Sequence, residues 1–153
     1  MLSKASFTLL ILCLSVLATR AQSLEYSGGK YYKSGMLYTG VHTEYYPEGG
    51  IKSEQSFRNG QEDGKSMFYY ADGTLKEERS YVSGKKDGIW VSYSETGKRL
   101  AEAFYKNDLK EGTWKIWDEK GVLRYEMQYR EGVKVGKWVM WDENGNITQV
   151  REY

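Results

Sequence analysis

Four glutamates recur at one position of a repeating pattern. They stand 24 residues apart, at Glu54, Glu78, Glu102 and Glu126. Paired carboxylates perform acid–base chemistry when their surroundings push their two pKa values apart. A ladder gives each member an equivalent environment, with neighbours about 9–10 Å apart on one face of a sheet. We therefore assign these glutamates to the scaffold, either solvated or paired across strands with lysines such as Lys52 and Lys76.

Other chemistry-bearing residues lack the partners that catalysis requires. His42 is the only histidine, and it occupies a position that later repeats fill with tryptophan. A metal ligand or a general base needs further polar partners. Serines such as Ser56 lack a Gly-x-Ser-x-Gly setting, and the glycines sit between strands rather than at the helix starts that bind phosphate. The acidic turns lack calcium-loop spacing. We predict no catalytic residue, no metal site, no cofactor and no enzymatic activity.

Three pairs of aromatic residues are the remaining binding candidates. They are Trp90 with Tyr93, Trp114 with Trp117, and Trp138 with Trp141. Side chains on one face of a flat strand are two residues apart. A spacing of three therefore means either that a bulge intervenes or that the two rings point to opposite faces. In the second case one ring per repeat is exposed, in a stripe that can stack on sugars or receive a partner. The alternative is that all six pack between repeats.

The elements that position these side chains follow from three ladders of period 24. Two ladders are glycines, at 40, 64, 88, 112 and 136 and again nine residues later. The third is aromatic, at offset 17 from the first glycine ladder: Phe57, Tyr81, Tyr105, Tyr129 and Tyr153. Self-similarity at such a period indicates a stacked repeat architecture.

Each repeat predicts a β-hairpin. A short aromatic run ends in a polar turn that closes on glycine, as in Asp72-Gly73, and a second run leads to the offset-17 aromatic. A further turn follows at offset 20, where Asp108 is the one non-glycine residue and tolerates the left-handed conformation. About six residues between turns are too few for an ordinary helix. We predict an all-β fold, an elongated antiparallel meander of stacked 24-residue hairpins, with pairing edges at 30–39 and 147–153.

The predicted organisation has three parts. Residues 1–21 form a signal peptide, 22–39 a leading segment with a shortened repeat, and 40–153 five repeats (40–63, 64–87, 88–111, 112–135 and 136–153). Lys4 and the apolar run 7–18 are typical of a signal peptide, with cleavage between Ala21 and Gln22. We expect export to the periplasm, the cell envelope or the medium, and no transmembrane segment in the mature chain. An uncleaved N-terminal anchor is the alternative.

Composition narrows the class of partner. The only cysteine, Cys13, lies in the predicted signal peptide, so the mature chain has no disulfide or thiol chemistry. Loss of Lys4 and Arg20 lowers the Lys+Arg count from 22 to 20 against 21 acids, a net charge near −1. A nucleic-acid partner requires a clear basic excess, so we expect none. The oligomeric state is left open.

The unit Gly-x-Trp-x-x-Tyr/Trp-x-x-x-Gly-x-Leu-x-x-Glu-x-x-Tyr-x-x-Gly is read at 64–84, 88–105 and 112–132. It resembles the MORN repeat in its bacterial variant form. The resemblance implies stacked hairpins in a non-enzymatic module for protein interaction or scaffolding. Some bacterial members are labelled antitoxin-like, which makes binding of a toxin partner one alternative.

A second resemblance concerns residues 29–40. This stretch is similar to one repeat of the aromatic, glycine-rich cell-wall-binding modules. It implies the other alternative, a cell-wall or glycan-binding module in which Tyr31, Tyr32 and the tryptophans meet a cationic or sugar ligand.

Overall fold

The computed structural model describes residues 24–153, and within them the chain forms strands and no helix. The strands are β1 (Glu25–Ser27), β2 (Lys30–Lys33), β3 (Met36–Leu37), β4 (Gly40–Tyr45), β5 (Ile51–Arg58), β6 (Gln61–Glu62), β7 (Gly64–Tyr69), β8 (Leu75–Val82), β9 (Lys85–Lys86), β10 (Gly88–Tyr93), β11 (Arg99–Lys106), β12 (Leu109–Trp117), β13 (Leu123–Arg130), β14 (Val133–Trp141) and β15 (Ile147–Glu152). The predicted signal peptide and its cleavage point lie outside the described residues.

One antiparallel sheet contains all the repeats. Its strand order is β15-β14-β13-β12-β11-β10-β8-β7-β5-β4, with β6 paired to β5 and β9 paired to β8. Strands that neighbour in sequence also neighbour in space, so the sheet is a meander of hairpins. The all-β fold of stacked 24-residue hairpins predicted from the ladders is confirmed.

The turns at offset 20 explain why consecutive hairpins stay in register. Both central residues have positive φ in each of them, for example 49° at Asn59 and 75° at Gly60. This is the type I′ geometry, whose twist matches that of the flanking strands. Asp108 has φ 70°, so the prediction that it adopts the left-handed conformation is confirmed.

The turns at offset nine close each hairpin at its other end. In the second repeat the N–H of Gly73 donates to the carbonyl of Tyr70 at 3.0 Å, and the N–H of Tyr70 donates to Thr74 at 2.8 Å. Gly73 has φ 87°. A glycine in this conformation after a tight turn is the usual way to close a short hairpin. The same bonds recur in the other repeats.

The ladder glycines do not all lie between strands, which corrects one expectation. Gly64 and Gly88 begin strands with φ 102°, whereas Gly112 and Gly136 lie inside β12 and β14 with φ 65° and 61°. Asp63, just before Gly64, turns its N–H to the carbonyl of Ser56 at 3.0 Å. Asp63 thus stays bonded to β5, with which both β6 and β7 pair, and it separates those two strands, whereas β12 and β14 run on without a break.

The sheet has two faces with different chemistry. Cross-strand pairs place Trp90 opposite Ala103 and Val91 opposite Glu102, and successive side chains alternate between faces. We call the side that carries Trp90, Trp114 and Trp138 the aromatic face, and the side that carries the glutamate ladder the glutamate face. Among residues 24–153, five hydrophobic side chains form the buried core: Phe57, Tyr81, Val91, Tyr129 and Trp138.

The leading segment forms a separate three-stranded sheet in the order β1-β2-β3. The expectation that 30–39 is an edge of the main sheet is therefore wrong. The segment instead binds the turn at Asn59-Gly60 through two backbone hydrogen bonds. The Tyr31 N–H donates to the Gly60 carbonyl, and the Gly60 N–H donates to the Tyr38 carbonyl, both at 2.8 Å. A Cβ at Gly60 would lie 2.7 Å from Leu37 and 2.8 Å from the Tyr31 carbonyl, so this close approach requires glycine. Strand β15 is an edge, paired only with β14 in the described part of the chain.

Candidate functional site

A continuous column of aromatic rings runs along the aromatic face. Successive ring centroids lie 4.9–5.4 Å apart. The members are Tyr81, Trp90, Tyr105, Trp114, Tyr129, Trp138 and Tyr153. Each tryptophan also donates its indole N–H to a carbonyl of the preceding hairpin, as Trp114 does to Phe104 at 3.0 Å. The column therefore joins neighbouring hairpins by ring packing and by hydrogen bonds.

Lysines cover this column on its outer side. Lys110 Nζ lies 4.5 Å from the Trp114 ring centroid and 4.8 Å from that of Tyr129. Lys86 and Lys134 occupy the same position in the repeats before and after. Three of the six predicted binding aromatics, Trp90, Trp114 and Trp138, are thus engaged by the scaffold through ring, cation and hydrogen-bond contacts.

The other three predicted aromatics, Tyr93, Trp117 and Trp141, lie on the glutamate face. For the aromatic pairs spaced three residues apart, the sequence left two explanations open, a bulge or rings on opposite faces, and the structure shows both. The strand opposite carries a bulge, because Ser92 pairs with Ala101 while Tyr93 pairs with Arg99, and the two rings of a pair point to opposite faces. All three residues are half-buried. The Tyr93 carbonyl accepts the Tyr70 hydroxyl at 2.8 Å, and the Arg99 guanidinium lies 5.9 Å from the Trp117 ring centroid.

Every member of the glutamate ladder contacts a neighbouring side chain, three of them across strands and Glu102 within its own strand β11. Lys65 bonds Glu78 at 2.6 Å, Arg99 bonds Glu102 at 2.6 Å, and Lys115 bonds Glu126 at 3.5 Å. The fourth member, Glu54, accepts the hydroxyl of Tyr69 at 3.0 Å. These contacts agree with the assignment to the scaffold, but the partners expected for the ladder are wrong. Lys52 binds Glu44, and Lys76 lies over the Tyr70 ring.

Ile89 and Phe104 lie opposite each other at the centre of the glutamate face, and sequence reasoning missed both. They are 47% and 36% exposed. Together with Val91 and Tyr93 they line a cleft of about 360 Å³ that the Lys65–Glu78 and Arg99–Glu102 ion pairs flank. We call this surface the Ile89 patch, consisting of Ile89, Val91, Tyr93 and Phe104.

A sequence signal for the Ile89 patch existed in the repeats themselves. At offsets 1 and 16 the neighbouring repeats carry Lys65 with Ser80 and Thr113 with Gln128, which are polar pairs. Of these three repeats, the one at 88–111 has two large apolar residues there. A comparison of repeats for departures in hydropathy, rather than for agreement, would have found it.

A second departure lies on the aromatic face in the repeat at 64–87. Ser66 stands where later repeats have tryptophan, and Glu62 stands where they have the covering lysine. The Arg79 guanidinium lies 4.3 Å from the Phe68 ring centroid and binds Glu77 at 2.5 Å. Burial raises the pKa of Glu62, an effect that Arg79 and the Tyr81 hydroxyl partly oppose.

The Ser66 hydroxyl cannot serve as an activated nucleophile in this setting. Its side chain is 0% exposed and its Oγ has no hydrogen-bond partner in the described part of the chain. An activated serine requires a base within hydrogen-bond reach. His42, the single histidine, packs instead at 6.5 Å against the Tyr38 ring. The cluster of Glu62, Ser66 and Arg79 therefore offers charge and shape for binding, without the arrangement of acyl-transfer chemistry.

Metal binding and membrane crossing each require a recognisable local structure. Within residues 24–153 no group of three or more His, Cys, Asp or Glu side chains is arranged to hold a metal ion. The same part of the chain contains no helix with the length and apolar character needed to cross a membrane.

Comparison with known protein families gives a match that covers the repeats. The family model of the MORN repeat variant matches residues 38–59, 62–83, 86–107, 110–131 and 134–153. Each matched stretch begins two residues before a ladder glycine, at the position of the covering lysine in the last three. No curated protein matches the chain.

Proposed function

Because the chain belongs to the MORN repeat variant family, we propose that it is a non-enzymatic scaffold that binds a protein partner through the glutamate face of its sheet. MORN repeats commonly form modules that interact with proteins or membranes, and the family is a repeat-type binding family rather than an enzyme family.

The Ile89 patch is the observation that carries the proposal. Protein interfaces combine an apolar centre with a polar rim that excludes water. Ile89 and Phe104 provide such a centre, and the Lys65–Glu78 and Arg99–Glu102 pairs provide the rim. The rim carries both signs of charge, so it favours a protein surface of mixed charge over an anionic polymer. Tyr93 and Trp117 extend the same face.

The tryptophans of the aromatic face are poor candidates for partner binding, which favours the glutamate face. The Trp114 indole already donates to Phe104 and lies between Tyr105 and Tyr129. A ligand that stacked on this ring would have to displace contacts within the sheet. The half-buried aromatics of the glutamate face make fewer such contacts.

Site-specific photo-cross-linking tests the proposal. A cross-linking amino acid is placed at Ile89, or at Ile116 as the matched control, which is 38% exposed on the opposite face. In the organism that produces the protein, we expect a defined cross-linked protein from position 89 and none from position 116. That partner is then purified, and its affinity is measured for Ile89→Lys and Ile116→Lys.

The affinity measurement has a definite expectation. Loss of a central apolar anchor lowers affinity by about tenfold or more, so Ile89→Lys should weaken binding and Ile116→Lys should leave it unchanged. Equal weakening by both variants would contradict use of the glutamate face. Clearing of a cell-wall substrate in a zymogram would contradict a non-enzymatic role.

Export forms a second part of the proposal. Its support is the sequence of residues 1–21, with Lys4, the apolar run 7–18 and the small residues before Gln22. Amino-terminal sequencing of the protein recovered from producing cells tests it. A mature chain that begins at Gln22 is expected, and a chain that still begins at Met1 would contradict cleavage.

A further inference from the structure

A cleft lies where the leading sheet meets the first two type I′ turns of the main sheet. Its volume is about 280 Å³. The rings of Tyr26 and Tyr31 line it, together with Glu62, Lys85 and the turn glycines Gly29, Gly60 and Gly84. The two rings lie 4.9 Å apart, and the Tyr26 side chain is 66% exposed. The cleft thus combines side chains of the repeats with those of the non-repeating segment.

The position of Glu62 in the repeat gives the cleft its chemistry. In the three later repeats a lysine occupies that position and lies 4.4–4.5 Å from a tryptophan ring centroid. There the chain supplies both the rings and the cation. At Glu62 the chain supplies rings and an anion instead, and within residues 24–153 no lysine or arginine lies over the Tyr26 or Tyr31 ring, although Lys85 also lines the cleft.

We propose that this cleft, the Glu62 cleft, binds an alkylammonium group such as a lysine side chain of a partner protein. The carboxylate of Glu62 pairs with the ammonium, and the faces of Tyr26 and Tyr31 receive it through cation–π attraction. The site goes beyond the proposed function and uses a surface distinct from the Ile89 patch. Variants at Glu62 and at Ile89 therefore fail or succeed independently.

The charges around the cleft agree with a cationic ligand. Arg79, the basic group that opposes the burial of Glu62, is itself bound by the Glu77 carboxylate at 2.5 Å. No lysine or arginine within residues 24–153 forms an ion pair with Glu62. Burial raises the pKa of Glu62, because its negative charge is poorly solvated, and a bound ammonium would relieve that cost. Lys85 also lines the cleft and repels a cationic ligand, so its removal is expected to strengthen binding.

Nuclear magnetic resonance titration of the full chain provides that test. The probe is N-acetyl-lysine methylamide, and its neutral control is N-acetyl-norleucine methylamide. The amide signals of Gly29, Gly60 and Gly84 report on the cleft, and those of Gly97 and Gly121 report on distant turns. We expect saturable shifts of the first set with the lysine probe only, weakened by salt because the attraction is electrostatic.

Variants give the proposal its sharpest outcomes. Glu62→Gln should weaken binding by about tenfold, the effect of removing one charge-assisted contact. Tyr26→Leu should weaken binding several-fold. Tyr45→Leu is the control and should leave binding unchanged, because it removes a ring that is 64% exposed but lies outside the cleft. Lys85→Gln should tighten binding. Equal shifts with norleucine or with N-acetylglucosamine, or unchanged binding in Glu62→Gln, would overturn the proposal.

Discussion

Gly112 lies directly opposite Tyr129 in the β12–β13 pair. The same pairing joins Gly40 with Phe57, Gly64 with Tyr81, and Gly88 with Tyr105. The glycine ladder and the aromatic ladder of the sequence are therefore two halves of one cross-strand pair. Because glycine has no side chain, the tyrosine ring meets no opposing side chain and packs between two tryptophans, at 5.2 Å and 5.3 Å for Tyr129.

This arrangement predicts that replacing Trp114 destabilises the fold more than replacing Trp117, the other tryptophan of the same repeat. Trp114→Ala should destabilise the chain by roughly 2–4 kcal/mol, somewhat below the range for fully buried aromatics because Trp114 is half-buried. Trp117→Ala, on the other face and outside the column, should cost less than half as much. Urea melts of both variants measure this. Equal losses would mean that the column does not dominate the stability of the repeat.

The coupling between rings gives an independent check on the column. A double-mutant cycle with Trp114→Leu and Tyr129→Leu should show an interaction of about 0.5–1.5 kcal/mol, the usual value for an aromatic pair. The matched cycle with Trp117→Leu and Tyr129→Leu should show none. A coupling of the same size in both cycles would contradict the assignment of the rings to opposite faces.

The fold could be predicted from sequence because its information is local and repeated. Turn residues such as Gly73 and Asp108 indicate the backbone conformation directly, and the period indicates which strands are neighbours. The glutamate partners could not be predicted, because a bulge in each hairpin shifts the register by one residue and moves Lys52 and Lys76 away from the ladder. The 24-residue period of the sequence does not reveal a one-residue register shift within each hairpin.

The candidate site was not predicted because its residues differ from those at the same positions of the neighbouring repeats. Repetition identified Trp90 and Trp114, which the scaffold uses, whereas the exposed Ile89 and Phe104 are departures from repetition. The separate sheet of the leading segment was also missed, since its contact with Gly60 is non-local and has no counterpart in the ladders.

Replacement of Gly121 should expose the strain in the turn at offset nine. Gly121 has φ 91°, and no atom lies within 4 Å of the place that a Cβ would take there, so a substitution meets backbone strain without a clash in the described part of the chain. Gly121→Val should destabilise by roughly 1–3 kcal/mol. Gly121→Asn should cost less, because asparagine tolerates left-handed conformations. Denaturant melts decide, and equal stability of Gly121→Val and the parent chain would contradict the turn geometry.

Acid should weaken the turn that Asp118 organises. The N–H of Val122, then that of Lys120, and the Arg124 guanidinium lower the pKa of Asp118 below its ordinary 3.8. A carboxylate with a depressed pKa in the folded state stabilises the fold above its unfolded pKa, and that contribution is lost as pH falls through the folded pKa. Asp118→Asn cannot titrate, so it should remove part of the decline in the urea midpoint between about pH 5 and about pH 2.

A variant of the neighbouring residue Glu119 serves as the control for the acid experiment. Glu119→Gln also removes one carboxylate, but the Glu119 side chain makes no hydrogen bond in the described part of the chain. It should leave the pH dependence nearly as in the parent. If both variants flattened the acid limb equally, the effect would reflect net charge rather than the turn.

Substitution of the buried Ser66 should stabilise the fold, whereas most substitutions of buried residues destabilise it. Its side chain is fully buried and its hydroxyl has no partner within residues 24–153, so the folded chain bears the cost of desolvating a polar group. Ser66→Ala should therefore raise the free energy of unfolding by about 1 kcal/mol. Ser94→Ala is the matched control, because Ser94 Oγ accepts the N–H of Lys98 at 3.1 Å, and it should lower stability by a similar amount. If Ser66→Ala were destabilising like Ser94→Ala, the Ser66 hydroxyl would have to bind a buried water that links it to another polar group.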